Sequence, residues 1–193
     1  MDFPDRVTTD RLVLRRPRGS DRGAWLGIWG DPSVWRALRP DLGPDPRFAL
    51  ARFEHHLAHW ERHGFGLWLA EERATRTIAG WTGPAHPLFV PELAGEVEIG
   101  WTYRRPYWGR GLALEGASAA IETAFAHLPV ERVIALVDAT NVRSQRVASR
   151  LGMRPFTTVQ HPEARVPVGV YELRASRDAS GEPPAARSDA PPR

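Results

Sequence analysis

The chain reads as an α/β domain built around a mixed sheet, and three observations predict it. Short strand-like segments alternate with segments of helical period. The run "RVIALVD" (Arg132–Asp138) is apolar without alternation, as in a strand buried on both faces. Capping residues and glycines mark the segment boundaries.

In chain order, "RLVLRR" forms a first strand through Leu12 and Leu14. Ser20 or Asp21 caps a helix carrying Trp25, Ile28 and Trp29, and "GDP" stops it. Asp45-Pro46 starts a longer helix with Phe48, Phe53, Leu57 and Trp60 roughly on one stripe, ended by Gly64. "FGLWLAEE" and "TIAGWTG" are strands joined by a short polar turn, and "GEVEIGWTY" (Gly95–Tyr103) is a fourth strand. Leu114, Ala117, Ile121, Ala124, Phe125 and Leu128 recur at helical spacing. "RVIALVD" is the fifth strand. Asn141 caps a helix carrying Val147, Ala148 and Leu151, which stops at Gly152. "PFTTVQ" and "VPVGVYELR" close the chain's sheet, giving the order β-α-α-β-β-β-α-β-α-β-β.

The length of 193 residues suits one domain, expected over residues 8–174. The segment 175–193, "ASRDASGEPPAARSDAPPR", lacks apolar periodicity and is expected to be disordered. With no cysteine, disulfides, thiolate metal sites and a cysteine nucleophile are excluded. The net charge is only +3 and arginine is spread along the chain, which argues against nucleic acid as a partner. The N-terminus has no long apolar run, so neither a signal peptide nor a membrane partner is expected, in keeping with a cytoplasmic chain.

The stretch "RRPYWGRGLALEG" (Arg104–Gly116) leads from the fourth strand into a helix. Helix-start amides lack intrahelical partners and carry the positive end of the dipole, so they suit a diphosphate. A P-loop would need Gly-Lys-Ser/Thr, and the loop leads instead into Leu112, Ala113 and Leu114. A dinucleotide fingerprint needs Gly-x-Gly-x-x-Gly, and here Gly116 comes too late. A coenzyme A diphosphate on Gly109-x-Gly111-x-Ala113 and a tight turn with no ligand both stay open.

Taken together, the motifs resemble the GNAT superfamily of N-acetyltransferases. "YWGRGLALE" is similar to the loop of its RimJ/RimL-type branch, which places Trp108 where the superfamily has Gln or Arg. "TTDRLVLRRPRGSD", "GDPSVWRAL", "EIGWTYRRPYWGRG" and "NVRSQRVASRLGM" extend the resemblance over nearly all of residues 8–173. It implies a mostly antiparallel central sheet flanked by helices, with the fourth and fifth strands splayed apart. It also implies acetyl-CoA as cosubstrate, no metal, and an amine acceptor, favoured as a protein or peptide N-terminal α-amine with a small-molecule amine as the alternative, for a monomer or homodimer. Amides of Gly109, Arg110, Gly111, Leu112 and Ala113 would hold the diphosphate. Backbone groups of Trp101 and Tyr103 would pair with the pantetheine arm, and Asn141 would contact it from the other side. Arg110 and Arg146 are candidates near the nucleotide phosphates.

Acetyl transfer needs an uncharged amine and a general base. Glu96 and Glu98 alternate onto one face of the fourth strand, and Glu98, nearer its centre, is the first choice. The family's tyrosine acid falls at Ala148, so Ser144 is the expected donor to the leaving sulfur. An acyl-CoA-binding sensor is the non-enzyme alternative. His55, His59 and His63 stand one helical turn apart but read as a solvated face, and most tryptophans read as core. Trp35 is expected in or near the loop after the first helix, and Trp81 faces either core or substrate.

Overall fold

The computed structural model describes residues 2–38, 43–160 and 167–175. It begins with β1 (Arg6–Thr8) and β2 (Leu12–Arg15), followed by helices α1 (Arg22–Trp29), α2 (Pro32–Leu38) and α3 (Pro46–His63). Then come β3 (Trp68–Glu72), β4 (Thr77–Ala85), β5 (Glu98–Tyr103) and α4 (Leu112–His127). The chain continues through β6 (Arg132–Asp138), α5 (Val142–Arg150), β7 (Arg154–Gln160) and β8 (Pro167–Arg174). The strands form one sheet in the order β1-β2-β3-β4-β5-β6-β8-β7. All neighbours are antiparallel except β5 and β6.

Alternating residues of β3 and the segment before it separate two cores on opposite faces. Trp68 and Ala70 join Leu12, Leu14, Ile99 and the apolar side of α4. Leu67 and Leu69 join Trp25, Trp35, Phe53 and Trp81 under α1–α3. The helices therefore form a layer on each face, with Ala148 of α5 in the same core as α4. Phe3 is buried and stacks on Trp68 at 5.1 Å, so packing begins upstream of Thr8. No helix among the described residues is long and apolar enough to cross a membrane. Residues 176–193 of the expected tail lie outside the described residues.

Two elements go beyond the sequence reading. Thr9 turns the chain so that the exposed three-residue β1 pairs with β2; its hydroxyl accepts from the Leu12 amide at 3.0 Å. "GDP" starts a helix as well as ending one: the Asp31 carboxylate accepts the Ser33 amide at 2.8 Å and Pro32 takes the first helical position. Trp35 thus sits on α2, 2% exposed, rather than in a loop. Asp21 turns to Arg15 (2.7 Å) and the Arg18 amide (2.7 Å), closing a 3-10 turn before α1. Asp45 and Gly64 bound α3 as expected, with Gly64 left-handed at φ 69°.

Candidate active site

β4 pairs with β5 along its full length, from Gly80↔Tyr103 to Ala85↔Glu98. β6 meets β5 at one position, Glu98↔Ile134, where the Ile134 amide donates to the Val97 carbonyl at 2.9 Å. The two edges then splay. The Arg104 amide donates to Ala79 on β4, so by alternation the backbone groups of Trp101 and Tyr103 face the gap. The Trp108 indole donates to the Tyr103 carbonyl at 2.5 Å, which occupies that acceptor.

The loop after β5 makes a 3-10 turn (Arg105–Tyr107) and then uses two left-handed glycines, Gly109 (φ 74°) and Gly111 (φ 78°). Only glycine adopts such angles without strain, and Gly111 occupies the N-cap of α4. Glu115, in the first turn, fixes the helix start to the sheet by accepting from Thr9 Oγ1 (2.5 Å), the Arg11 amide (2.8 Å) and Arg11 Nε (2.6 Å). Gly109, Gly111, Leu112 and Ala113 line a cleft of about 350 Å³, with Arg146 on its other wall. Arg143 and Arg150 line that wall too, and the sequence reading missed both. The Arg143 and Arg105 guanidiniums flank the Trp108 ring at 5.1 and 5.0 Å. The Arg110 side chain instead pairs with Glu72 and lies 5.5 Å from the Tyr107 ring centroid.

A second cavity, of about 190 Å³, opens on the α1–α3 side, lined among others by Trp29, Arg52, His56, Trp81 and Glu98. Glu98 is half-buried and lines this cavity. Burial pushes its pKa up to about 7, with the Arg52 charge and the Leu136 amide pulling part of the way back. Glu96 lies before β5 and is held by Arg132 at 2.5 and 3.0 Å, which keeps its pKa below the ordinary value. Trp29 Nε1, Trp81 Nε1, Thr102 Oγ1 and both His56 nitrogens are buried without a hydrogen-bond partner among the described residues. Trp81 packs in the core and also lines the cavity.

Trp101, Thr102, Asn141 and Ser144 line both clefts, so the two meet where the strands part. Asn141 holds this junction: its Oδ1 accepts the Ser144 amide at 3.1 Å and its Nδ2 donates to the Ala37 carbonyl at 3.1 Å. Ala148 is fully buried. Among the described residues, no tyrosine lines both clefts. The Tyr107 hydroxyl bonds Thr77 Oγ1 at 2.7 Å, and the Tyr103 phenol is buried against Gly116 on the α4 side.

The histidines of α3 do not form a solvated face. His59 is 5% exposed, and its Nδ1 bonds the Phe65 carbonyl at 2.9 Å. Burial lowers its pKa to about 4. His86, from beyond β4, joins His59 and His63, a grouping hidden from the sequence because 23 positions separate His63 from His86.

Residues 11–154 match the family model "Acetyltransferase (GNAT) domain". The uncharacterised protein YkkB of Bacillus subtilis (strain 168) is 28% identical over 182 residues, covering 91% of this chain and 99% of its own. An acetyltransferase from Agrobacterium tumefaciens str. C58 superposes with a TM-score of 0.76 at 27% identity, over 91% of this chain and 96% of that one. RimL, a ribosomal L7/L12 alpha-N-protein acetyltransferase solved with coenzyme A, shares the fold (TM-score 0.69, 16% identity, 90% and 98% covered).

Proposed function

The chain belongs to the GNAT acetyltransferase family, and we propose that it moves an acetyl group from acetyl-CoA directly to a primary amine, favouring the α-amine of a protein or peptide. The observation that carries this reading is the meeting of the two clefts on Trp101, Thr102, Asn141 and Ser144, with Glu98 on one side and the glycine loop on the other.

The chain's residues fit coenzyme A. Left-handed Gly109 and Gly111 leave the α4 amides open to a diphosphate, while Arg143, Arg146 and Arg150 supply positive charge across the cleft. The outward-facing backbone of Trp101 offers a strand edge to the pantetheine amides. Arg110, engaged with Glu72, contributes its backbone rather than its charge. When bound, acetyl-CoA supplies an acetyl thioester. Glu98 then takes a proton from the amine, directly or through water, as the nitrogen–carbon bond forms and the carbon–sulfur bond breaks. Ser144 donates a hydrogen bond to the departing sulfur.

The Glu98 pKa favours one acceptor class. An α-amine ionises near 7.7–8.0 and a lysine amine near 10.4. A base at about 7 is therefore within roughly one unit of the first and more than three below the second. The unpartnered N–H groups of Trp29 and Trp81, with Arg52 nearby, suit a carbonyl next to that amine. The loop "YWGRGLALE" supports the RimJ/RimL-type branch. A second reading, a small-molecule amine, draws on the modest size of the Glu98 cavity. Thiol release from acetyl-CoA across peptide N-termini and small amines tests both. Tight coenzyme A binding with no turnover on any amine would make the chain an acyl-CoA sensor.

A further inference from the structure

α3 ends in two histidines one turn apart, His59 and His63, and the chain leaving β4 brings His86 against them. Ring centroids lie 4.5 Å apart for His59–His63, 4.8 Å for His63–His86 and 5.5 Å for His59–His86. One ring nitrogen from each lies within 4.8 Å of the others. Two of the rings are already oriented by the backbone. His59 Nδ1 is 2.9 Å from the Phe65 carbonyl, and His86 Nδ1 is 2.9 Å from the Glu96 carbonyl. A carbonyl oxygen can only accept, so both Nδ1 atoms carry a proton, and in the neutral imidazole this leaves Nε2 with the lone pair. Metal-bound histidines have this outer shell, in which a carbonyl fixes the tautomer and the ring orientation.

We propose that His59, His63 and His86 form a three-histidine site for a divalent first-row transition metal, with zinc the favoured ion and water in the fourth position. Imidazole donors without a carboxylate suit zinc and its neighbours rather than magnesium or calcium. Tetrahedral zinc at 2.0–2.1 Å sets its ligand nitrogens about 3.3 Å apart. Side-chain rotation, freest at exposed His63, would draw the three nitrogens together, and His59 Nε2 would exchange the His86 amide, now at 3.1 Å, for the metal. Buried His59 and exposed His63 give the ion one anchored ligand and one path of entry. His86 also lines the Glu98 cavity, so the metal would tie the end of α3 to one wall of the acceptor side. The site does not depend on the acetyl-transfer reading.

The test uses the tag-free full-length chain. Cobalt(II) titration is followed by visible absorption, and zinc(II) is titrated against a chromophoric chelator. One equivalent should bind, with the intense visible bands of four-coordinate cobalt. His63→Ala, at an exposed position, should weaken zinc by about 100-fold or more, beyond the 10–100-fold that loss of an outer-shell partner costs. His86→Gln should do the same, and His55→Ala, one turn before His59, should change little. Zinc should raise the Tm of the parent chain and not that of His63→Ala. Binding that survives both His63→Ala and His86→Gln overturns the site. So does binding lost in His55→Ala but kept in His63→Ala, or the absence of stoichiometric binding at micromolar zinc.

Discussion

Glu98 trades stability for basicity. Its folded carboxyl titrates near 7 against an ordinary 4.5, so between those values the folded state holds a proton that the unfolded chain releases. Stability is thus fullest below the lower value and falls as pH rises through the upper one, by about 3.5 kcal/mol at most. Glu98→Gln imitates the neutral carboxyl. It should raise Tm at a pH well above 7 and change it little near 4.5, as thermal melts across pH would read. The same variant should lower kcat by ~10²–10⁴-fold. The parent's activity should rise through pH 7 as the base loses its proton, and an unchanged acidic limb in the variant would remove Glu98 as the base. Ser144→Ala should slow the chemical step by roughly 10–100-fold, somewhat less than loss of an oxyanion-hole donor costs. Coenzyme A affinity should stay constant, and a change in affinity alone would contradict the donor role. Strand alternation was enough to single out Glu96 and Glu98 in the sequence. It could not separate them, because the difference lies in Arg132, which reaches Glu96 from 36 positions away. The setting of Arg110 was hidden for the same reason, since Glu72, 38 positions earlier, pairs with its side chain.

Among the elements, α4 and its loop were the most legible. The glycine spacing, the apolar stripe and the strand before them are local patterns, and the helix begins at Leu112 as those patterns imply. The sequence did not reveal how closely the helix approaches the sheet. A Cβ on Gly116 would lie 2.4 Å from the Tyr103 hydroxyl and 2.9 Å from Thr82 Cγ2. Gly116→Ala should therefore destabilise by about 1–3 kcal/mol through overpacking. Gly95→Ala, with nothing within 4 Å, is the matched control, and equal Tm values for the two variants would refute the packing account. β1 and α2 escaped the sequence reading because each is short. β1 exposes most of its surface, and α2 follows α1 so closely that Asp31-Pro32 marks both an end and a start.

Across the whole molecule, the sheet parts between β5 and β6. β5 keeps its full ladder with β4 and loses β6 after a single pair, and both clefts open at that point. Much of the lining of the half of the site that faces the glycine loop falls within the short segments 101–114 and 141–150, while Val34, Ala37 and Leu38 join it only in the fold. The other half is assembled from α1, α2, α3 and the segment after β4, which meet only in the fold. The polar atoms of Trp29, His56 and Trp81 there have no sequence signature beyond aromatic content. The same long-range folding carries His86 to His59 and His63. The most direct test of the central claim is acetyl-CoA-dependent thiol release with peptide α-amines, measured across pH alongside lysine-type and other small amines. Turnover with α-amines should be half-maximal near pH 7, level off above it and be lost in Glu98→Gln. Coenzyme A binding without thiol release on any amine would contradict it.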